Sequence, residues 1–470
     1  MKKILLIILS FVFFSTNVFA NFKEIRKKAE VKNSIIIFPI KDKSNYKSCS
    51  KRTLRNPKYH SIDPLFEVGA PKNYGLDDRY DAIRQIFEKF SMPCGSGNVE
   101  ACEKVKEVLL NWSKQGAVKS LKGPSKMNDS LSINLHINNP FIAGYSFAKQ
   151  VINFSDEEDE VIKGWFKKTV KKTANLMYNK RINEGKASGI LNSAHNHALT
   201  SAISHMELGI VLNDHKLFRT AFKNFEHAIK SQRKDGSLPI EVRRGGRAMF
   251  YQGRAMNALA VIAIIAENQG YNIWDIDFDG KNYHNLVKFF LDFAENNEIV
   301  FRYAKEMHAP GPATNYKKQD LQINNSSNWG WLYAYASRYP DHENINRIQE
   351  WSKNISSLNT YQKGFVSNYQ NIGYTPFGDA SWTVVQANCH FLKTALNLDL
   401  STIKEVTQTS YTCGNTTNPI WYCAIATRKS DPTVQFFAED PNERTARIKA
   451  TSECFKEHND CTIIYSGKNN

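Results

Sequence analysis

The segment Ala255-Met256-Asn257-Ala258-Leu259-Ala260-Val261-Ile262-Ala263-Ile264-Ile265-Ala266 is apolar on nearly every side, and Gly270 can end it as a helix. A helix with no polar face belongs inside a large protein. Its predecessors follow a helical period. Ser155 and Glu158 form a capping box, with Ile162, Trp165, Phe166, Val170, Thr173 and Met177 at helical spacing behind it. Leu199, Ala202, Ile203, Met206 and Ile210 mark the next helix. Leu217, Phe218, Ala221, Phe222, Phe225, Ala228 and Ile229 mark a third, after Asp214. Half-polar helices alternating with fully apolar ones describe two concentric layers. No strand–helix alternation appears, which disfavours a parallel sheet, so the fold class is mainly α.

The two ends of the chain have a different character. Lys2 and Lys3 precede the apolar run Ile4 to Phe14, and Val18-Phe19-Ala20 is a small-residue cleavage site, so residues 1–20 read as a signal peptide. Export to the periplasm, or secretion, is the expectation. No later stretch reaches about eighteen uninterrupted apolar residues, so no membrane span is expected. Residues 21–400 are assigned to one large helical domain. Thr409 to Asn418 is rich in Ser, Thr, Asn and Gly and marks a linker, with a small α+β module at 410–470. That module is built from strand-like Ile420–Ala426 and Cys461–Tyr465, with a helix around Asn442 to Cys454 between them.

The eight cysteines fit an oxidising compartment. Short separations favour Cys94–Cys102, Cys413–Cys423 and Cys454–Cys461, which leaves Cys49 with Cys389; this is the most economical of about 105 pairings. No Cys-x-x-Cys pair exists, His195 with His197 lacks a third ligand, and neither metal nor cofactor is expected. The net charge of +16 becomes +14 without Lys2 and Lys3. Such a surface steers polyanions. Export argues against nucleic acid, and an acidic polysaccharide fits both facts. The protein is expected to act on it as a monomer.

Scarce polar chemistry concentrates in two places, His195-Asn196-His197 and Arg243-Arg244-Gly245-Gly246-Arg247-Ala248-Met249-Phe250-Tyr251. Together they supply an amide, an imidazole, a guanidinium cluster and a phenol. That set suits a reaction that neutralises a carboxylate, removes a weakly acidic proton and protonates a leaving oxygen.

With Leu238-Pro239-Ile240-Glu241 before the arginines, this region resembles the mannuronate-type alginate lyases, polysaccharide-lyase family five. Their signature is Asn-Asn-His, then Leu-Pro-x-Glu, an Arg-rich segment and a Tyr seven residues past the key Arg. Asn196-His197 and the Arg244–Tyr251 interval match, as do Gly164-Trp165-Phe166, Trp331-Leu332, Tyr335 and Tyr339-Pro340, over roughly residues 130–345. The resemblance implies an (α/α) toroid, an incomplete barrel of helical hairpins around a polymer cleft, and β-elimination without a metal. It implies that Asn196 and Arg244 bind the uronate carboxylate. His197 or Tyr251 takes the C5 proton, and Tyr251 is able to serve as base and acid in turn because both events lie on one face of mannuronate. Arg247, Arg254, Trp329, Trp331 and Tyr335 are candidate subsite residues, and Lys72 and Tyr74 belong to a candidate lid.

Two departures bear on specificity. Leu199-Thr200, after Ala198, replaces an aromatic pair, and Gly246 beside Gly245 replaces a polar residue between the arginines. A wider, less stacked cleft that also accepts glucuronate is the expectation. Two rival functions compete. A glycoside hydrolase on the same toroid needs paired carboxylates, for which Glu241 and Asp235 are the nearest candidates. A non-catalytic acidic-polysaccharide-binding protein needs the arginines without Tyr251.

Overall fold

The computed structural model describes residues 22–40, 61–69, 77–123, 126–179, 194–307, 315–321 and 329–370, then 422–428, 435–440, 446, 450, 454 and 461–468. The expected signal peptide, Lys72, Tyr74, the expected 409–418 linker, Cys49, Cys389 and Cys413 lie outside them, as do the side chains of Cys423 and Cys461.

The chain divides into two compact units. In the first, helix α1 (22–28) is followed by α2 (Asp78–Cys94), α3 (Val99–Gln115), α4 (Lys126–Ile133), a π-helical turn Asn134–Asn138, α5 (Asn139–Val151) and α6 (Asp156–Asn179). Then come α7 (Asn196–Leu212), α8 (His215–Ser231), α9 (Ala248–Asn268), α10 (Tyr283–Glu295), α11 (Glu298–Ala304) and α12 (Gly330–Arg338). Its only described strands are the two-residue β1 (Glu67–Val68) and β2 (Ser120–Leu121), paired in parallel.

The layering follows the sequence pattern. Helix α7 is buried from Asn196 to Val211, and α9 is buried on nearly every side. Helix α8 buries one face, with Phe218, Ala221, Phe222, Phe225, Ala228 and Ile229 flanked by Asn224 and Glu226. Of the described helices, α9 alone is long and apolar enough to cross a membrane, and 83% of its apolar window is buried inside the protein. The caps fall where expected. Ser155 and Glu158 exchange backbone-to-side-chain bonds at 2.8 and 3.2 Å, and Asp214 Oδ1 accepts from Lys216 and Leu217 at 2.9 and 3.0 Å. Helices α7 and α8 touch backbone to backbone because a Cβ on Gly209 would meet Phe218 N at 2.4 Å. The Cys94–Cys102 bridge joins α2 to α3. An N-terminal strap crosses three helices: Gln269 of the α9 C-cap binds Lys32, Asn33 and Ile36, Ser146 of α5 binds Ile35 and Ile37, and His215 of α8 accepts from Val31 N.

The second unit holds residues 346–366, within α13 (Glu343–Lys353) and α14 (Thr360–Gln370), together with the C-terminal strands. The sheet has β3 (Tyr422–Arg428) between β4 (Gln435–Asp440) and β5 (Cys461–Lys468), antiparallel to both. Two of these strands were expected; β4 was not. Residues 446, 450 and 454 are helical within the 442–454 segment expected to be so. Cys454 is disulfide-bonded.

Glu207 of α7 is completely buried, and neither carboxyl oxygen has a hydrogen-bond partner among the described residues. Burial raises its pKa well above the usual carboxyl value. The folded protein therefore holds a proton that the unfolded chain releases as pH rises through about 4.3. The resulting destabilisation is absent at lower pH and grows above it. Glu207→Gln should raise the melting midpoint by at least about 2 °C at pH 7 and leave it unchanged near pH 4. Equal midpoints at pH 7 would show that the carboxyl is already compensated.

Candidate active site

Two short backbone features bring the polar residues together. His195 is the N-cap of α7, with Nδ1 accepting from His197 N at 3.3 Å. This puts Asn196 and His197 in the first turn of a buried helix. The other half is the connection from α8 to α9. Its Asp235-Gly236 corner needs glycine: φ is +87°, and a Cβ would lie 2.0 Å from Asn285 O. Asp235 Oδ1 accepts from Ser237 N and Oγ at 3.0 and 2.7 Å, closing the corner. Gln252 of α9 braces it by accepting from Leu238 N at 2.9 Å and donating to Gly236 O at 3.2 Å.

Glu241, fully buried, meets Asn196 from this connection. Its Oε1 accepts from Asn196 N and its Oε2 from Asn196 Nδ2, both at 2.8 Å. At Gly245 the chain turns through φ +59°, and the carbonyls of Arg244, Gly245 and Arg247 accept from Arg247, Ala248 and Tyr251 N as α9 begins. This geometry explains the seven-residue interval. It lays the Arg244 guanidinium over the Tyr251 ring, 4.0 Å from its centroid. Arg244 is only 8% exposed, and among the described residues no carboxylate lies within ion-pair reach of it. Its Nη1 instead faces His195 Nε2 at 3.5 Å.

The imidazoles are neutral. Burial, then the Arg244 charge, pushes His195 down to about 3. His197 is held well below the usual histidine range by burial first, then by His195, Arg244 and Arg254. The two rings meet edge to face at 4.7 Å. His197 Nδ1 has no hydrogen-bond partner among the described residues.

Tyr251, Arg244, His195 and His197 are therefore joined in one chain of contacts, and Asn196, between the two histidines in sequence, is tied to Glu241. Arg247 caps α9 from one turn before Tyr251, and Arg254, whose charge reaches His197, stands over the Phe250 ring at 4.8 Å. Arg243 is diverted to Glu306, at 2.5 Å. His195, the first residue of the triplet, links the two halves by facing Arg244 and accepting from His197 N.

Other expectations are corrected. Trp329 and Trp331 are 2% and 1% exposed and pack on Phe290 and each other, so they are core residues rather than sugar platforms. Tyr335 is fully buried, its hydroxyl bonded to His284 and Asn344. Leu199 and Thr200 have no exposed surface, and Thr200 Oγ1 donates back to Asn196 O at 2.8 Å. They do not form a wall of the cleft. Gly245 and Gly246 are buried too, their carbonyls accepting from Gln319 Nε2 and Asp320 N at 3.0 and 2.6 Å. The wider cleft inferred from these two departures has no basis in the geometry. Neither hydrolase candidate is poised as an acid: Asn196 occupies both oxygens of Glu241, while Arg302, Tyr303 and Ser237 engage Asp235.

Comparison with known proteins places both halves of this site in one matched stretch. Residues 115–301 match the family model described as alginate lyase. The alginate lyase of Pseudomonas syringae pv. tomato is 27% identical over 190 residues, 39% of this chain and 43% of that protein. That of Pseudomonas paraeruginosa is 34% identical over 152 residues, 32% and 37% of the two chains. The match to these curated relatives therefore spans less than half of their length. In structure the chain is similar to alginate lyase A1-III from Sphingomonas species A1, with a TM-score of 0.52 at 18% identity, covering 68% of this chain and 92% of that one. A tyrosine-to-phenylalanine variant of A1-III complexed with tetrasaccharide aligns with a TM-score of 0.51 at 16% identity, covering 70% and 88%. The shared fold is the helical toroid that the family resemblance implies.

Proposed function

We infer that this chain, an alginate lyase family protein over residues 115–301, is an exported polysaccharide lyase that cleaves a mannuronate-type uronate polymer by β-elimination. One observation carries the reading. Arg244 is a buried guanidinium with no carboxylate partner among the described residues, laid on the Tyr251 phenol and facing the His195 ring. An uncompensated buried charge is costly, and a uronate carboxylate would compensate it. The named activity of the curated relatives, and the oligosaccharide complex of the A1-III variant, support the same substrate class.

The chemistry follows from the residues. Arg244 and the Asn196 amide bind the carboxylate and stabilise the enediolate-like charge as the C5 proton leaves. Burial, and then His195, Arg244 and Arg254, hold His197 well below the usual histidine range, which makes it a poor proton acceptor and an N–H donor to the same carboxylate. We therefore assign proton transfer to Tyr251: its oxygen takes the proton from C5 and delivers one to O4 as the C4–O4 bond breaks and the C4–C5 double bond forms. Arg247 and Arg254, on the same α9 face as Tyr251, supply charge for neighbouring uronates.

The test is to incubate the protein with polymannuronate, polyguluronate and polyglucuronate and follow the ultraviolet absorbance of unsaturated uronate. Product from polymannuronate, and less from the others, is expected. Binding to all three without product would favour the polyanion-binding alternative, and reducing ends without absorbance would indicate a hydrolase. Finding the protein in the periplasm, cleaved after Ala20, would support the export reading.

A further inference from the structure

We propose that Glu241 is a positioning residue that fixes which end of the Asn196 carboxamide faces the substrate, a role that rests on the lyase reading above. Both oxygens of Glu241 are used on one residue: the backbone N–H of Asn196 and its Nδ2 each donate at 2.8 Å. A carboxylate accepts and does not donate, so only the amide nitrogen can turn toward it. The opposite flip would set Asn196 Oδ1 against Oε2, two acceptors in contact with neither oxygen compensated. One hydrogen of Nδ2 thus belongs to Glu241, and the second is left for a substrate oxygen. That second hydrogen is what charge stabilisation at the uronate carboxylate requires.

The same carboxylate holds the first helical N–H of α7, a donor that has no partner within its own helix. Side chain and backbone of Asn196 are therefore fixed by one group. Glu241 is in turn fixed by α9: its own N–H donates to Leu238 O at 3.0 Å, and Gln252 holds both Leu238 N and Gly236 O. Gln252 is the neighbour of Tyr251, so the amide and the phenol are referred to a single rigid frame. This explains why Leu-Pro-x-Glu sits between the two halves of the site although Glu241 itself is shut off from solvent.

Glu241→Gln is the informative variant. Its amide keeps the shape but replaces one acceptor with a donor, so Asn196 is able to flip and present Oδ1 to the glutamine. On polymannuronate kcat/KM should fall about 10- to 100-fold, as for a small misplacement of a positioning group. In an Asn196→Ala background the same substitution should cost less than about twofold, because its effect passes through Asn196. A purely structural role would lower both backgrounds alike and would overturn the proposal. A second readout does not need turnover. The Asn196 side-chain amide protons, followed by 15N NMR, should exchange slowly in the wild type and much faster in Glu241→Gln; equal rates would also overturn it. If the wild type forms no unsaturated product from any uronate polymer, the lyase reading fails and the exchange rates alone decide the role of Glu241. Should Glu241→Gln not fold, Glu241→Asp keeps the charge, is one methylene too short to reach both donors, and is judged by the same rates.

Discussion

Tyr251→Phe is expected to remove nearly all turnover, by about 100- to 10,000-fold in kcat, the usual contribution of a positioned acid–base group. Polymer binding should stay within about threefold of wild type. The substitution deletes one oxygen and keeps the ring, and the ring is what holds Arg244, with its centroid 4.0 Å from the guanidinium carbon. The edge-to-face contact with Phe250 at 5.1 Å survives as well. The carboxylate pocket should therefore stay assembled while the proton-transfer atom is lost. Single-turnover kinetics separates the two effects, since KM alone mixes binding with chemistry. If kcat fell less than threefold, the base would lie elsewhere, with His197 the next candidate. That alternative has its own signature. A buried neutral His197 deprotonates no further at high pH, and its protonation at low pH is opposed by burial and by Arg244 and Arg254. A rate limited by His197 would hold level below pH 6.5 and fall only in stronger acid.

The helices were legible because burial imposes a period. The all-round apolar segment 255–266 had one physical solution, and α9 adopts it. The proposed catalytic set was legible as a cluster because its members fall in two stretches of fewer than ten residues each, so local geometry decides their spacing. Residues that meet across the fold were less accessible. Trp329 and Trp331 have the composition of sugar platforms, and only packing against Phe290 reveals them as core. Glu241 reads only as the nearest hydrolase carboxylate until Asn196 is found on both its oxygens. Gly245 and Gly246 suggested empty space, whereas the turn needs a positive φ at Gly245 and two carbonyls left open to Gln319 and Asp320. Strand β4 was missed because Gln435-Phe436-Phe437-Ala438-Glu439-Asp440 has no clean alternation; its pairing with β3 over six positions supplies what the side chains do not.

Arg244→Ala should reduce kcat/KM by about 100- to 1,000-fold, with KM raised and kcat lowered together. In the proposed mechanism the guanidinium meets the substrate carboxylate before reaction and meets more charge in the transition state, so both constants should depend on it. Losing one partner of a desolvated charge pair typically costs about 2–5 kcal/mol, which covers that range. Arg243→Ala, one residue away, should change kcat/KM less than about threefold, because Arg243 is committed to Glu306 at 2.5 Å. Equal, mild effects of the two substitutions would reduce the cluster to a basic surface. Stability should move in the opposite direction from activity. Without substrate, Arg244 is a buried cation compensated, among the described residues, by the Tyr251 face and the His195 ring. Removing it forfeits a cation–π contact of about 0.5–2 kcal/mol and relieves a burial cost of similar or larger size. The free Arg244→Ala protein should therefore melt no lower than wild type. A polymannuronate oligomer should raise the wild-type midpoint and leave the variant's unchanged, because the stabilisation comes through the carboxylate that Arg244 binds. A variant that melts well below wild type in the absence of ligand would mean that Arg244 serves the fold, and the argument from its unpaired charge would fail.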